Sequence, residues 1–251
     1  MPAWAWAAAS CRGTSHVKSG TQKQDAFTCF VAPGGFLVSL VSDGAGSASH
    51  GGEGASLVCR TFATALRRHF EASSVLPDDQ ALWQWLDGAR DRIGIAASRR
   101  NLTPRDFAAT IVLAITDGTA VLVAHVGDGS SVARHADTGT WTALSWPAQG
   151  EYASTTFFVT DDPVPELRII RLNQPIDALA TFTDGIERLA LDYALGDAHQ
   201  PFFRGMIAPL ANSGVLGRDD DLTGKLAVYL DSPAVCGRTD DDKTLILAVR
   251  R

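Results

Sequence analysis

Ala108-Ala-Thr-Ile-Val-Leu-Ala-Ile115 and Thr119-Ala-Val-Leu-Val-Ala-His-Val126 are two apolar runs separated by Thr116-Asp117-Gly118. Runs rich in Val, Ile and Leu, joined at an Asp-Gly dipeptide, read as the strands of a β-hairpin. Upstream, 26–32 and 36–42 flank Pro33-Gly34-Gly35 and form a second hairpin, which ends at Asp43. The chain therefore begins with antiparallel pairing. Ahead of these, Pro2 to Ala9 reads as a first strand, with Trp4 and Trp6 on one face by period-two alternation. That run is too short for a membrane span and lacks the basic leader of a signal peptide.

Between the two hairpins, Gly44, Gly46, Gly51, Gly52 and Gly54 suggest a glycine-rich loop. Leu57, Val58, Phe62, Ala65, Leu66 and Phe70 then recur at helical spacing over 55–70. Leu82, Trp83, Leu86, Ile93 and Ala97 predict a second helix over about 79–99, with Asn101 and Pro104 as stop signals. Downstream, a strand is expected near 130–136, after Gly127-Asp128-Gly129, which reads equally well as a hairpin turn. Polar and proline-rich sequence from 145 to 166, around the short run Thr155 to Val159, reads as an irregular excursion. Strands resume near 167–172 and 177–183, helical patterns cover 186–194, 199–212 and 219–230, and Thr244 to Val249 forms a last strand. Hairpins with long helices between and after them argue for an α+β fold of antiparallel sheets flanked by helices, rather than a regular βαβ order.

The bulk numbers restrict function. At 251 residues and 45% hydrophobic content, the chain fits one large domain or two small ones. A net charge of -6 and a pI near 5.4 argue against a nucleic-acid partner, so an anionic substrate needs locally supplied positive charge. Cys11, Cys29, Cys59 and Cys236 are widely spaced without a CxxC pair, which suggests reduced, buried thiols and a cytoplasmic location.

Four aspartates, Asp25, Asp43, Asp184 and Asp241, each lie beside an apolar strand-like run. If they converge, their charge must be neutralised, because two like charges about 4 Å apart repel by roughly 4 kcal/mol at an effective dielectric near 20. Hard divalent cations are the natural partners of such oxygens. Asp-Gly is also a common turn dipeptide, so each of the five in the chain needs weighing. Asp117-Gly118 between matched strands and Asp87-Gly88 inside a helical pattern read as structural. Asp43-Gly44 and Asp184-Gly185 each join a strand to a helix and favour a ligand role.

In order, these strings resemble the metal-dependent protein serine/threonine phosphatases of the type 2C family, in particular its compact bacterial branch. Gly13-Thr-Ser-His16 with Gly20-Thr-Gln-Lys-Gln-Asp25-Ala-Phe27 is similar to the family's opening motif, and Val41-Ser-Asp43-Gly-Ala-Gly46 to its strand-ending metal motif. Phe107-Ala-Ala-Thr110, Val126-Gly-Asp128-Gly-Ser130, Phe182-Thr-Asp184-Gly-Ile186 and Asp240-Asp241-Asp242-Lys-Thr244 resemble the motifs that follow. Gly150-Glu-Tyr-Ala-Ser-Thr-Thr-Phe157 resembles a bacterial segment located where larger relatives carry a mobile flap.

The resemblance implies a four-layer αββα sandwich, a single domain over 1–251 with a flap-like excursion around 145–166, and two Mn²⁺ or Mg²⁺ ions. By resemblance, Asp43 bridges the ions, the Gly44 carbonyl binds one of them, and Asp184 and Asp241 complete the other's shell. Asp25 acts through metal-bound water, and Asp128 with Asp184 holds a third, weaker ion. The implied reaction is hydrolysis of phosphoserine and phosphothreonine by a metal-activated water without a phosphoenzyme. The implied partner is a phosphorylated protein, such as a serine/threonine kinase or its target, met by a monomer without nucleic acid or membrane.

Three positions depart from the family pattern, the mildest being Asp242, which stands where many relatives have asparagine. Ala45 stands where many eukaryotic relatives have a histidine proposed to protonate the leaving group, and His16 and His50 are the candidate substitutes. Gly20 stands where the family carries a phosphate-gripping arginine, leaving Lys18, Lys23 and Arg12 as candidates. The alternative reading is therefore a catalytically weak, metal-binding regulatory module that recognises phosphorylated partners. His125, within an apolar strand, reads as a core or edge histidine.

Overall fold

A computed structural model describes residues 3–148 and 156–251. In chain order the elements begin with β1 (Trp4–Cys11), α1 (Thr14–Ser19), β2 (Ala26–Val31), β3 (Leu37–Ser42), α2 (Gly51–Ala72) and α3 (Asp79–Ser98). Strands β4 (Ile111–Thr116), β5 (Ala120–Val126), β6 (Ser130–His135), β7 (Trp141–Ser145), β8 (Arg168–Asn173) and β9 (Ile176–Phe182) follow. Then come α4 (Glu187–Ala190), β10 (Leu191–Asp192), β11 (Asp197–Ala198), α5 (Gln200–Asn212), β12 (Gly217–Arg218), α6 (Asp220–Leu230), α7 (Pro233–Cys236) and β13 (Lys243–Arg250).

The strands form two large sheets, β2-β3-β4-β5-β8 and β12-β1-β13-β9-β6-β7, plus the small β10-β11 ribbon. All pairings are antiparallel except β1 with β12. Period-two alternation divides each central strand between two cores. In β4, Ile111, Leu113 and Ile115 face the layer of α2 and α3, where they meet Val58, Phe62, Leu66 and Leu86. Val112 and Ala114 face the other sheet. In β13, Leu245, Leu247 and Val249 pack under α5 and α6, while Ile246 and Ala248 face inward. The result is the four-layer α+β sandwich expected, and strands covered on both faces explain why the deciding stretch is apolar without interruption. Removing one of these ring-sized core side chains, for example Phe62→Ala, costs about 3–5 kcal/mol.

Several sequence expectations need correction. Residues Gly51, Gly52 and Gly54 are not loop; they form the first turn of α2. They are glycines because the helix start presses on other backbone: a Cβ on Gly54 would lie 1.9 Å from the Phe107 carbonyl oxygen. Gly127-Asp128-Gly129 is not a hairpin turn, since β5 pairs with β4 and β8 whereas β6 pairs with β9 and β7. The tripeptide carries the chain from one sheet to the other. The helix expected over 186–194 stops at Ala190, and its second half turns back as β10-β11. Strand β7 and the short α1 and α7 were not expected; each is too short to display a period.

Of the excursion at 145–166, residues 149–155 lie outside the described residues, and with them most of the motif 150–157. Its described flanks contain no strand at 156–159, but they are pinned. Ala148 N–H donates to the Gly127 carbonyl at 2.9 Å, and Arg90 Nη1 donates to the Val159 and Asp161 carbonyls at 2.9 and 2.7 Å. Val159 is fully buried. Among the described residues, no helix is long and apolar enough to cross a membrane.

Candidate metal centre

Antiparallel register brings the aspartates together. Ala26 pairs with Ser42, so Asp25 and Asp43 flank the same end of β2-β3; Leu245 pairs with Phe182, which puts Asp184 and the 241–244 segment at one end of β9-β13. The sheets stack with these ends aligned, and the crossover brings in Asp128. Ligand oxygens of Asp43, Asp128 and Asp184 lie within 4.8 Å of one another.

Asp25 is buried, and its Oδ2 accepts hydrogen bonds from the Thr183 and Thr244 hydroxyls at 2.8 and 2.5 Å. Among the described residues its Oδ1 is buried without a partner, as are Asp128 Oδ1 and Asp184 Oδ1. Asp128 Oδ2 accepts from Thr156 Oγ1. Asp43 is fixed through its backbone: its N–H donates to Thr110 Oγ1 at 3.0 Å, and the Thr110 N–H donates to its carbonyl at 2.8 Å. The glycines that follow Asp43 and Asp184 do not have positive φ. They allow close approach, since a Cβ on Gly44 would lie 2.1 Å from the Gly51 carbonyl carbon and one on Gly185 would lie 1.8 Å from the Asp242 carbonyl oxygen.

This crowding resists ionisation. Burial, followed by the charges of Asp25, Asp184, Asp128 and Asp241, pushes the Asp43 carboxyl well above the usual range. Burial and the charges of Asp128 and Asp241 do the same to Asp184, and burial raises Asp128. Burial raises Asp25 to about 6 against the opposing hydrogen bonds of Thr244 and Thr183. Buried carboxylates with orphaned oxygens and no cation beside them are costly. An oxygen-only donor set of this kind fits Mg²⁺ or Mn²⁺.

The other expected residues sit around this core. Asp241 is half-buried, outside the compact trio, and its Oδ1 accepts from the Asp242 N–H at 2.7 Å. Asp242 is turned to structural use. Its Oδ1 accepts from Gly13 N–H at 2.6 Å and lies 2.9 Å from His16 Nδ1, and its Oδ2 accepts from Gln24 N–H at 2.5 Å. His16 is thus tied to Asp242. His50 lies against Phe107, with ring centroids 5.0 Å apart, and its Nδ1 is 2.9 Å from Ser49 Oγ. Among the described residues neither histidine is hydrogen-bonded to Asp25, Asp43, Asp128, Asp184 or Asp241.

Lys23 Nζ donates to Ser10 Oγ and the Asp25 carbonyl at 2.7 and 2.5 Å, Lys18 is exposed, and Arg12 Nη2 donates to the His16 carbonyl at 2.8 Å. Arg12 Nε has no partner. His125 is a core histidine, held neutral by burial and Arg168, which lower it to about 3.

Sequence reasoning centred on carboxylates passed over the hydroxyls that hold them. Thr183 and Thr244 lie within the two late motifs, next to or near the aspartates, which was the available signal. It also missed the rim formed by Glu187 and Tyr193. Tyr193 Oη donates to Glu187 Oε2 at 2.8 Å and its ring meets Trp146 edge-on at 5.4 Å.

The model of the family described as "Protein phosphatase 2C" matches residues 12–228. This chain belongs to the protein phosphatase 2C family. The phosphatase is 36% identical over 252 residues to serine/threonine-protein phosphatase 3 of Escherichia coli (strain K12), with 98% of each chain covered. Its fold is similar to that of PppA, a regulatory component of the T6SS in Pseudomonas aeruginosa, at a TM-score of 0.68, 20% identity and full coverage of both chains. It is also similar to the catalytic domain of the serine/threonine phosphatase PstP, solved with two manganese ions, at a TM-score of 0.66 and 13% identity, covering 100% of this chain and 99% of that one.

Proposed function

We propose that this phosphatase hydrolyses phosphoserine and phosphothreonine esters of proteins with Mn²⁺ or Mg²⁺ as cofactor, its residues 1–251 acting as one domain. The observation that carries the reading is the set of buried, orphaned carboxylate oxygens on Asp25, Asp128 and Asp184, gathered around Asp43. Asp43, Asp184, Asp241 and the Gly44 carbonyl would hold two ions, and Asp128 would serve a third with Asp184. Bound divalent ions would neutralise the cluster and supply Lewis-acid activation of water and of the phosphoryl group.

The chain's own residues divide the remaining work. Thr183 and Thr244 fix one oxygen of Asp25, so that its other oxygen faces the cluster as an outer acceptor for a water proton. Arg12 is assigned to the phosphate. It follows β1, where Cys11 pairs with Lys243 beside Asp241 and Asp242, and its buried Nε has no partner among the described residues, whereas Lys23 spends its ammonium inside the protein. With Ala45 in place of the family histidine, and His16 and His50 held elsewhere, the proton for the leaving alkoxide comes from water. A serine/threonine kinase or its target is the class of substrate proposed.

Release of phosphate from p-nitrophenyl phosphate and from a phosphothreonine peptide, with and without Mn²⁺, tests this. Turnover should require the metal and should collapse in Asp43→Asn and Asp184→Asn, while Arg12→Ala should raise KM more than it lowers kcat. Absence of metal-dependent turnover on both substrates would overturn the reading.

A further inference from the structure

Away from the acidic end, Leu57, Arg60, Ala63, Thr64 and Arg67 of α2 form one wall of a groove of about 490 Å³. Thr28 of β2 and Arg92 of α3 complete it. Among the described residues no carboxylate lines it and none of the three arginines is ion-paired. Glu53, two turns before Arg60, is paired with Arg100 instead. In a chain of net charge -6, three convergent, uncompensated guanidiniums stand out. They are also held in place. Arg67 stacks over the Phe30 ring at 4.3 Å, Arg60 Nε donates to the Ser56 carbonyl at 3.2 Å, and Arg92 Nη1 donates to Thr61 Oγ1 at 3.3 Å. These contacts fix the stems and leave outer N–H groups to face solvent.

We infer that this groove docks an acidic segment of the phosphoprotein substrate, through carboxylates or a second phosphoryl group, an inference that rests on the function proposed above. The spacing suits an extended chain. Thr28 lies three residues along β2 from Asp25, about 10 Å at 3.3 Å per residue. Arg60 and Arg67 lie nine and sixteen residues from the start of α2 at Gly51, about 14 and 24 Å along its axis. Acidic groups about three to seven residues from the phosphorylated side chain would therefore reach the arginines while the phosphate sits at the carboxylates. The groove also answers an electrostatic problem: an acidic substrate approaching an acidic protein needs a positive landing site to offset the repulsion.

The test is binding, read by fluorescence anisotropy with a labelled peptide in which a non-hydrolysable phosphonate replaces the phosphothreonine ester, carrying acidic residues at those positions, and with its neutral counterpart, in Mn²⁺ at low salt. Wild-type protein should bind the acidic peptide about tenfold more tightly, the gain of three weak exposed ion pairs. The difference should vanish in the triple variant Arg60→Gln, Arg67→Gln, Arg92→Gln and in high salt, with p-nitrophenyl phosphate turnover and Tm unchanged. Equal affinity for the two peptides in the wild type, or a preference that survives in the triple variant, would overturn the inference. Because the readout is binding, loss of turnover on every substrate would count against the proposed function and leave the groove separately tested.

Discussion

The two ends of strand β4 carry the same chemistry to opposite ends. Beyond Thr116, Asp117-Gly118 makes the β4-β5 turn: Asp117 Oδ1 accepts from the Thr119 and Ala120 N–H groups at 2.7 and 2.9 Å, and Gly118 has a φ of 89°. Although desolvation works the other way, those hydrogen bonds hold the Asp117 carboxyl below its usual value. At the end near Ile111 lie Asp43-Gly44 and Asp184-Gly185, whose glycines permit close packing rather than a left-handed turn, and whose carboxyls are raised by burial and by one another. A satisfied carboxylate is part of the architecture. An orphaned one among others is costly unless a cation or a proton offsets its charge.

The largest test of this contrast is catalytic. Asp43→Asn and Asp184→Asn should lower Mn²⁺-dependent p-nitrophenyl phosphate turnover by roughly 100-fold or more, since loss of a mere outer partner of a metal site costs about 10–100-fold. Asp117→Asn should leave turnover intact, and a comparable loss there would break the distinction. Next comes Asp242, a buried carboxylate near the site that behaves like Asp117. Asp242→Ala strands the Gly13 and Gln24 N–H groups and should cost about 3 kcal/mol in urea denaturation with EDTA present. A negligible loss would show that it is not the clasp the geometry describes.

The third prediction has the opposite sign. In EDTA at pH 7.5, Asp184→Asn should stabilise the protein by about 1 kcal/mol, because it removes a carboxyl that folding disfavours through burial and neighbouring charge. A lower Tm than wild type would contradict it. The pH dependence follows from the same carboxyls. Asp25 has a folded value raised to about 6 from 3.8, so the unfolded chain binds fewer protons in that window and metal-free stability falls as pH rises through it. Mn²⁺ should accordingly raise Tm more at pH 7.5 than at pH 5. An effect no larger belongs to the turn: Asp117→Ala should cost about 1 kcal/mol at neutral pH with no change in metal affinity.

Much of this was legible in the sequence. The hairpins of 26–42 and 108–126, the helices near 55–70 and 79–99, and the last strand all carry periods long enough to read. Asp25, Asp43, Asp184 and Asp241 could be named because each sits beside a strand-like run in a recognisable string, and Asp128 through the family resemblance. The hydroxyls of Thr183 and Thr244 were not legible as Asp25 partners, because residues 158 and 219 positions away meet it only through sheet stacking. The same holds for the engagement of His16 with Asp242 and for the arginine groove, whose members come from three elements.

The sequence by itself determined the longer strands and helices, since hydrophobic period is a local property. It also determined which residue types could hold a metal. Only the tertiary structure decided that Gly127-Asp128-Gly129 crosses between sheets, that Asp128 rather than Asp241 completes the compact trio with Asp43 and Asp184, and that Asp242 faces backbone donors instead. The physical reason is that whether a carboxylate is satisfied or orphaned depends on which donors other segments bring to it, and that is fixed by sheet register and stacking.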